Sequence, residues 1–132
     1  MHLIVDGFGA NPQVLENEDF IYRFLDEYPA RIAMTKVAPP YVFRYVGSKP
    51  QDWGVSGFVV IAESHISIHT FPERRLINID VFSCKEFDAE RVIQDVQAQF
   101  ELTSLDTHLL DRGLEPYYAQ TAEAKATSVP HG

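Results

Sequence analysis

Three kinds of reactive side chain fall close together in the middle of this 132-residue sequence. Glu63-Ser64-His65 stands where an apolar run, Phe58-Val59-Val60-Ile61, gives way to an alternating one. His69 follows soon after, and the one cysteine, Cys84, ends the next strand-like segment. A hydroxyl, an imidazole and a thiol on adjacent strands can meet in one site of nucleophilic chemistry. Spacing equally allows polar groups at strand ends satisfied by their neighbours, and it does not say what such a site would do.

Other patterns fail on inspection. Gly7-Phe8-Gly9 opens like a dinucleotide fingerprint, but Pro12 stands in the place of the third glycine, so a turn is expected. Gly54-Val55-Ser56-Gly57 starts a nucleophile elbow, yet position 58 is Phe. His65 and His69 have the spacing of a helical zinc pair, but the Ile-Ser-Ile between them reads as strand. Four strand residues separate the rings by about 13 Å, too far to share a metal. A single cysteine excludes both an internal disulfide and a multi-cysteine zinc site.

The elements that must hold these residues follow from periodicity. Leu3-Ile4-Val5 before Asp6-Gly7 predicts a first strand and turn. Asn17 caps a predicted helix with Phe20, Ile21, Phe24, Leu25 and Tyr28 on one stripe, ended by Pro29. Residues 31–37 and 41–46 read as strands, and 47–54 as a loop. Strands are expected around 58–61, 65–71 and 76–82. Asp88 caps a second helix carrying Val92, Ile93, Val96 and Phe100, and 102–110 returns as strand. The expected fold class is therefore α/β (α+β): a two-layer sandwich with a mostly antiparallel sheet and two helices on one face. Residues 1–118 form the single domain, and 119–132, small and polar without period, are expected to be a disordered tail. The sheet's other face would need cover, which a second copy could supply.

Composition bounds the partners. With 45% hydrophobic and 23% charged residues the sequence reads as an ordinary globule. Lys and Arg number 11 against 19 Asp and Glu, and the net charge of -8 argues against nucleic acid and anionic membrane surfaces. No run approaches the roughly 20 apolar residues of a membrane span. The opening residues lack a basic segment, so no signal peptide is expected and the expected location is cytoplasmic.

The stretch from Gly54 through Glu63-Ser64-His65-Ile66-Ser67-Ile68-His69-Thr70-Phe71-Pro72-Glu73 closely resembles the bacterial S-adenosylmethionine decarboxylase proenzymes. The continuation Asn78-Ile79-Asp80-Val81-Phe82-Ser83-Cys84 does so too, and the likeness covers most of residues 2–110. Decarboxylation leaves a carbanion that no unmodified side chain can delocalise, so such enzymes need an electron sink. The resemblance implies a pyruvoyl group derived from Ser64, with no metal and no pyridoxal phosphate. The Ser64 hydroxyl would attack the Glu63 carbonyl, and His69 would remove the Ser64 α-proton. Cleavage between 63 and 64 would then leave a β chain, 1–63, and an α chain, 64–132.

Further roles are implied by the same likeness. Ser56 assists near the cleavage site, the new ketone forms a Schiff base with the substrate amine, and Cys84 protonates the product carbanion. Glu73 binds the ribose hydroxyls, Phe71 replaces a tryptophan usual in the family, and Trp53 or Tyr45 offers a face for adenine. The product would serve spermidine synthesis, and the working unit would be a homodimer of αβ pairs. Arg74-Arg75 and the longer 46–53 loop depart from the family pattern. They keep two alternatives in play: a pyruvoyl-dependent arginine or ornithine decarboxylase, and an unprocessed binding paralogue.

Overall fold

In the computed structural model, which describes residues 1–111, the chain builds one six-stranded antiparallel sheet. The strands are β1 (His2–Phe8), β2 (Tyr41–Tyr45), β3 (Gly54–Ile61), β4 (Ser64–Phe71), β5 (Leu76–Ser83) and β6 (Ser104–Leu110), in the spatial order β2-β3-β4-β5-β1-β6. The helices are α1 (Pro12–Leu15), α2 (Glu18–Arg31) and α3 (Ala89–Phe100). The tail assigned to 119–132 lies outside the described residues.

Period-two alternation decides which strand residues face the helices. Leu3 and Val5, Val55, Val59 and Ile61, Ile66 and Ile68, and Ile77, Ile79 and Val81 are all buried in one core. Ile21, Phe24, Leu25 and Tyr28 of α2 and Val92, Val96 and Phe100 of α3 close it from the same side. Phe100 meets both Phe20 and Phe24 edge-on, with ring centroids 5.6 and 5.1 Å apart, which locks the two helices together. Among the described residues no helix covers the opposite sheet face. Its alternate residues include Tyr41, Phe43, Phe58 and Val60, all exposed. This is the sandwich the alternation predicts, with the additional single-turn α1 started by Asn11 and Pro12.

The caps stand where the residue types place them. Asn17 accepts the Phe20 N–H and Asp88 the Arg91 N–H, each filling one orphan donor of its helix. Three local expectations need correction. Asp6-Gly7 does not turn the chain: both residues lie inside β1, opposite Asn78 and Ile77 of β5. Pro29 does not end α2, and 31–37 is not a strand: the helix runs to Arg31, and only Lys36 pairs with the sheet, opposite Ile61. Within its last turn a proline removes one N–H and little else follows to be disrupted. The carbonyls of Pro29 and Ala30 are then taken up by the Met34 and Ala33 N–H groups, with Ala33 left-handed at φ 59°. That is a Schellman closure, which reverses the chain where an extended segment was expected.

Tyr28 ties α2 to α3 by donating its hydroxyl to Asp95 at 2.8 Å. Burial, reinforced by that bond and the Asp95 charge, pushes the phenol well above its ordinary pKa. A raised folded-state pKa means its stabilisation is whole below the unfolded value near 10 and fades as pH climbs past it. Tyr28→Phe is expected to cost about 1 kcal/mol at pH 7 and to flatten the stability loss between neutrality and pH above 10. Urea unfolding at both pH values checks this; an unchanged alkaline slope would show the phenol is not involved.

Candidate active site

The strand register sorts the candidate residues into two groups. Ser56 of β3 lies directly across from His69 of β4, on the face without helices. Their side chains touch, Ser56 Oγ to His69 Nδ1 at 2.8 Å, which fixes the ring and leaves Nε2 without a hydrogen-bond partner among the described residues. A cavity of about 270 Å³ opens beside them, bounded by Phe43, Tyr45 and Phe71. An apolar wall with a few polar groups is how small-molecule sites are commonly built.

Two short 3₁₀ turns frame this cavity, Pro50–Asp52 and Pro72–Arg74. They are clamped together by the Arg74–Asp52 ion pair at 2.7 Å and by the Trp53 indole N–H, which donates to Glu73 at 3.2 Å. The Arg44 guanidinium covers one face of the Trp53 ring at 4.5 Å. Trp53, Phe71 and Glu73, read as substrate-binding residues, are thus gathered at the same end of the sheet as Ser56 and His69. Gly54 permits the crossing: a Cβ there would fall 1.8 Å from the Thr70 carbonyl oxygen.

The second group sits at the far end of β4. Ala62 and Glu63 form the two-residue turn between Ile61 and Ser64, and Glu63 is left-handed at φ 60°. A glutamate in this region costs about 1 kcal/mol or more, so the Glu63–Ser64 linkage is held under local strain. The Glu63 carbonyl accepts the Cys84 backbone N–H at 3.1 Å. Ser64 is nearly enclosed, and its hydroxyl donates to Ser83 Oγ at 2.9 Å. Ser83 went unnoticed in the sequence. Its signal was a polar residue continuing the inward positions Ile77, Ile79 and Val81 of β5.

These two groups do not meet within one chain. Ser64 and His69 lie on the same strand, five positions apart. That is about 16 Å of extended chain, and the odd spacing sends the two side chains to opposite faces. The idea of hydroxyl, imidazole and thiol gathered by adjacent strands therefore holds only in part. Glu63, Ser64 and Cys84 cluster at one end, Ser56 and His69 at the other. Among the described residues no group of acidic, His or Cys side chains could hold a metal.

Comparison with known proteins points one way. A family model described as S-adenosylmethionine decarboxylase matches residues 1–113. The S-adenosylmethionine decarboxylase proenzyme of Archaeoglobus fulgidus is 32% identical over 113 residues, covering 85% of this chain and 96% of that protein. The proenzyme of Clostridium botulinum strain Langeland is 40% identical over 93 residues, 70% of this chain and 75% of its own. The crystal structure of the adenosylmethionine decarboxylase from Aquifex aeolicus VF5 superposes with a TM-score of 0.71 at 27% identity, over 85% of this chain and 88% of that one.

Proposed function

The chain belongs to the S-adenosylmethionine decarboxylase family, and from that membership we propose that it decarboxylates S-adenosylmethionine with a pyruvoyl group cut from its own backbone at Ser64. The observation that carries the proposal is the Glu63–Ser64 linkage itself. Its carbonyl is gripped by a backbone N–H, its hydroxyl is oriented, and its turn is strained.

That geometry supports self-cleavage. Ser64 Oγ bonds to the Glu63 carbonyl carbon, the Glu63–Ser64 C–N bond breaks, and the hydroxyl proton ends on the freed nitrogen. The step is an isomerisation from amide to ester and needs no co-reactant. The Cys84 N–H stands on the oxygen that becomes negative as the tetrahedral intermediate forms, the place where a fixed donor stabilises most. A basic group must then take the Ser64 α-proton so that the Cβ–O bond breaks and the β chain leaves as the Glu63 carboxylate with the Ser64 oxygen; His69, held through Nδ1 by Ser56, offers Nε2 for that proton. The dehydroalanine left at 64 takes up water and releases its nitrogen as ammonia, which leaves the ketone.

A carbonyl at position 64 suits its surroundings. Ser64 is nearly enclosed and borders a cavity of about 190 Å³. A pyruvoyl group there supplies the electron sink for the leaving carboxylate. Phe71 and Glu73 lie at the His69 end of β4, so it is those of a second copy, arriving with its His69, that hold the nucleoside part, a carboxylate being able to accept both ribose hydroxyls. Cys84 returns a proton to the product carbon, since a thiol can give one near neutral pH.

The working unit is a dimer in this reading. His69 is about 16 Å from Ser64 within a chain, so a second copy must bring its Ser56–His69 pair to the first copy's Ser64. Packing the two uncovered faces about an axis perpendicular to the strands exchanges the strand ends and covers Tyr41, Phe43 and Phe58. The reading extends to the cytoplasm as the compartment and spermidine synthesis as the destination of the product.

Mass spectrometry of purified protein is expected to show two fragments parting between 63 and 64, the second without a free amino terminus. Parallel release of labelled carbon dioxide from S-adenosylmethionine, arginine and ornithine is expected for the first alone. An intact chain would indicate a binding protein instead, and release from arginine or ornithine would reassign the substrate.

A further inference from the structure

Ser83 is the one buried polar residue beside the cleavage site that the reaction described above leaves without a task. It sits on the rung opposite Ser64, on the helix-covered face, and is 1% exposed. The inward positions before it, Ile77, Ile79 and Val81, are all aliphatic, so packing alone gives no reason for a hydroxyl. Two donors converge on its oxygen: the Ser64 hydroxyl at 2.9 Å and the Lys85 backbone N–H at 3.0 Å. The Lys85 contact occupies one lone pair of the oxygen and so aims the other at Ser64.

We propose that Ser83 is a positioning residue for self-cleavage, holding the Ser64 hydroxyl in one orientation and accepting its hydrogen bond as it attacks the Glu63 carbonyl. Accepting that bond puts electron density on Ser64 Oγ and confines it to one rotamer of three. With the Cys84 N–H on the Glu63 carbonyl, consecutive residues of β5 and its exit hold nucleophile and electrophile at once. The role ends when cleavage ends, because maturation removes the Ser64 hydroxyl that Ser83 receives. This inference rests on the self-cleavage reading.

Two rates separate this role from a structural one. Freshly synthesised precursor is followed by mass spectrometry for the appearance of fragments, and turnover is measured per cleaved chain. Ser83→Ala is expected to slow cleavage about 10- to 100-fold, the scale of a misoriented reacting group, while turnover per cleaved chain changes far less. Ser83→Thr keeps the hydroxyl on a strand-favouring residue and is expected to cleave within a few-fold of the parent. Wild-type cleavage in the alanine variant overturns the proposal. So does a threonine variant as slow as alanine, or cleavage and turnover falling in parallel. An uncleaved parent protein, by contrast, refutes the self-cleavage reading itself.

Discussion

Ser64→Ala is expected to leave the chain in one piece and without decarboxylase activity. Alanine keeps the strand, since position 64 is an enclosed residue at the start of β4 and a methyl fits among its neighbours. What disappears in the proposed mechanism is the oxygen that attacks the Glu63 carbonyl, without which residue 64 cannot be converted into the electron sink. Nothing else at this end of the sheet can replace it. Cys84 contributes its backbone N–H to the same carbonyl, and Ser83 lies across the rung from the target bond. Activity should fall by about 10⁶-fold or more, because losing the electron sink returns the reaction toward its uncatalysed rate. Mass spectrometry reads the uncut chain, and borohydride reduction finds no reactive carbonyl. Fragments from this variant would mean that another residue is the nucleophile.

Two inactive variants are expected to rescue each other. In the proposed mechanism Ser64→Ala lacks the nucleophile and His69→Ala lacks the base, so each is expected to be inactive alone. When they are co-expressed, a mixed dimer pairs the intact Ser64 of one copy with the intact His69 of the other and gains one working site. Random pairing makes half the dimers mixed, each with one site of two, so activity should return to about a quarter of wild type. The physical ground is the distance along β4: about 16 Å and opposite faces within one copy. No rescue above background would place both residues in the same copy's site and demand a rearrangement of β4 that the register forbids. Sedimentation of the wild-type protein gives the dimer independently.

Much of the fold was legible because its signals are local. Asn17 and Asp88 cap helices as their side chains dictate, and the stripe from Ile21 to Tyr28 buries as its spacing requires. The segment after Pro29 was misread because its fate is decided by carbonyls of the preceding turn. The left-handed Ala33 that satisfies them carries no glycine to announce it. The candidate residues were legible as a set, but their grouping was not. Ser83 escaped notice because a serine beside Cys84 has no meaning until Ser64 is known to lie opposite.

Residue order alone therefore determined the reactive inventory: Glu63-Ser64, His69 and Cys84, the aromatic and acidic residues near 71–73, and the two periodicities that make a sheet and its helices. Those are properties of chemistry and of one strand or helix at a time, which neighbouring residues dictate. The tertiary structure alone decided who faces whom. Pairing β3 to β4 seats Ser56 against His69, and pairing β4 to β5 seats Ser64 against Ser83. Register depends on contacts between residues distant in the chain, and a shift of one position would turn every side chain to the other face.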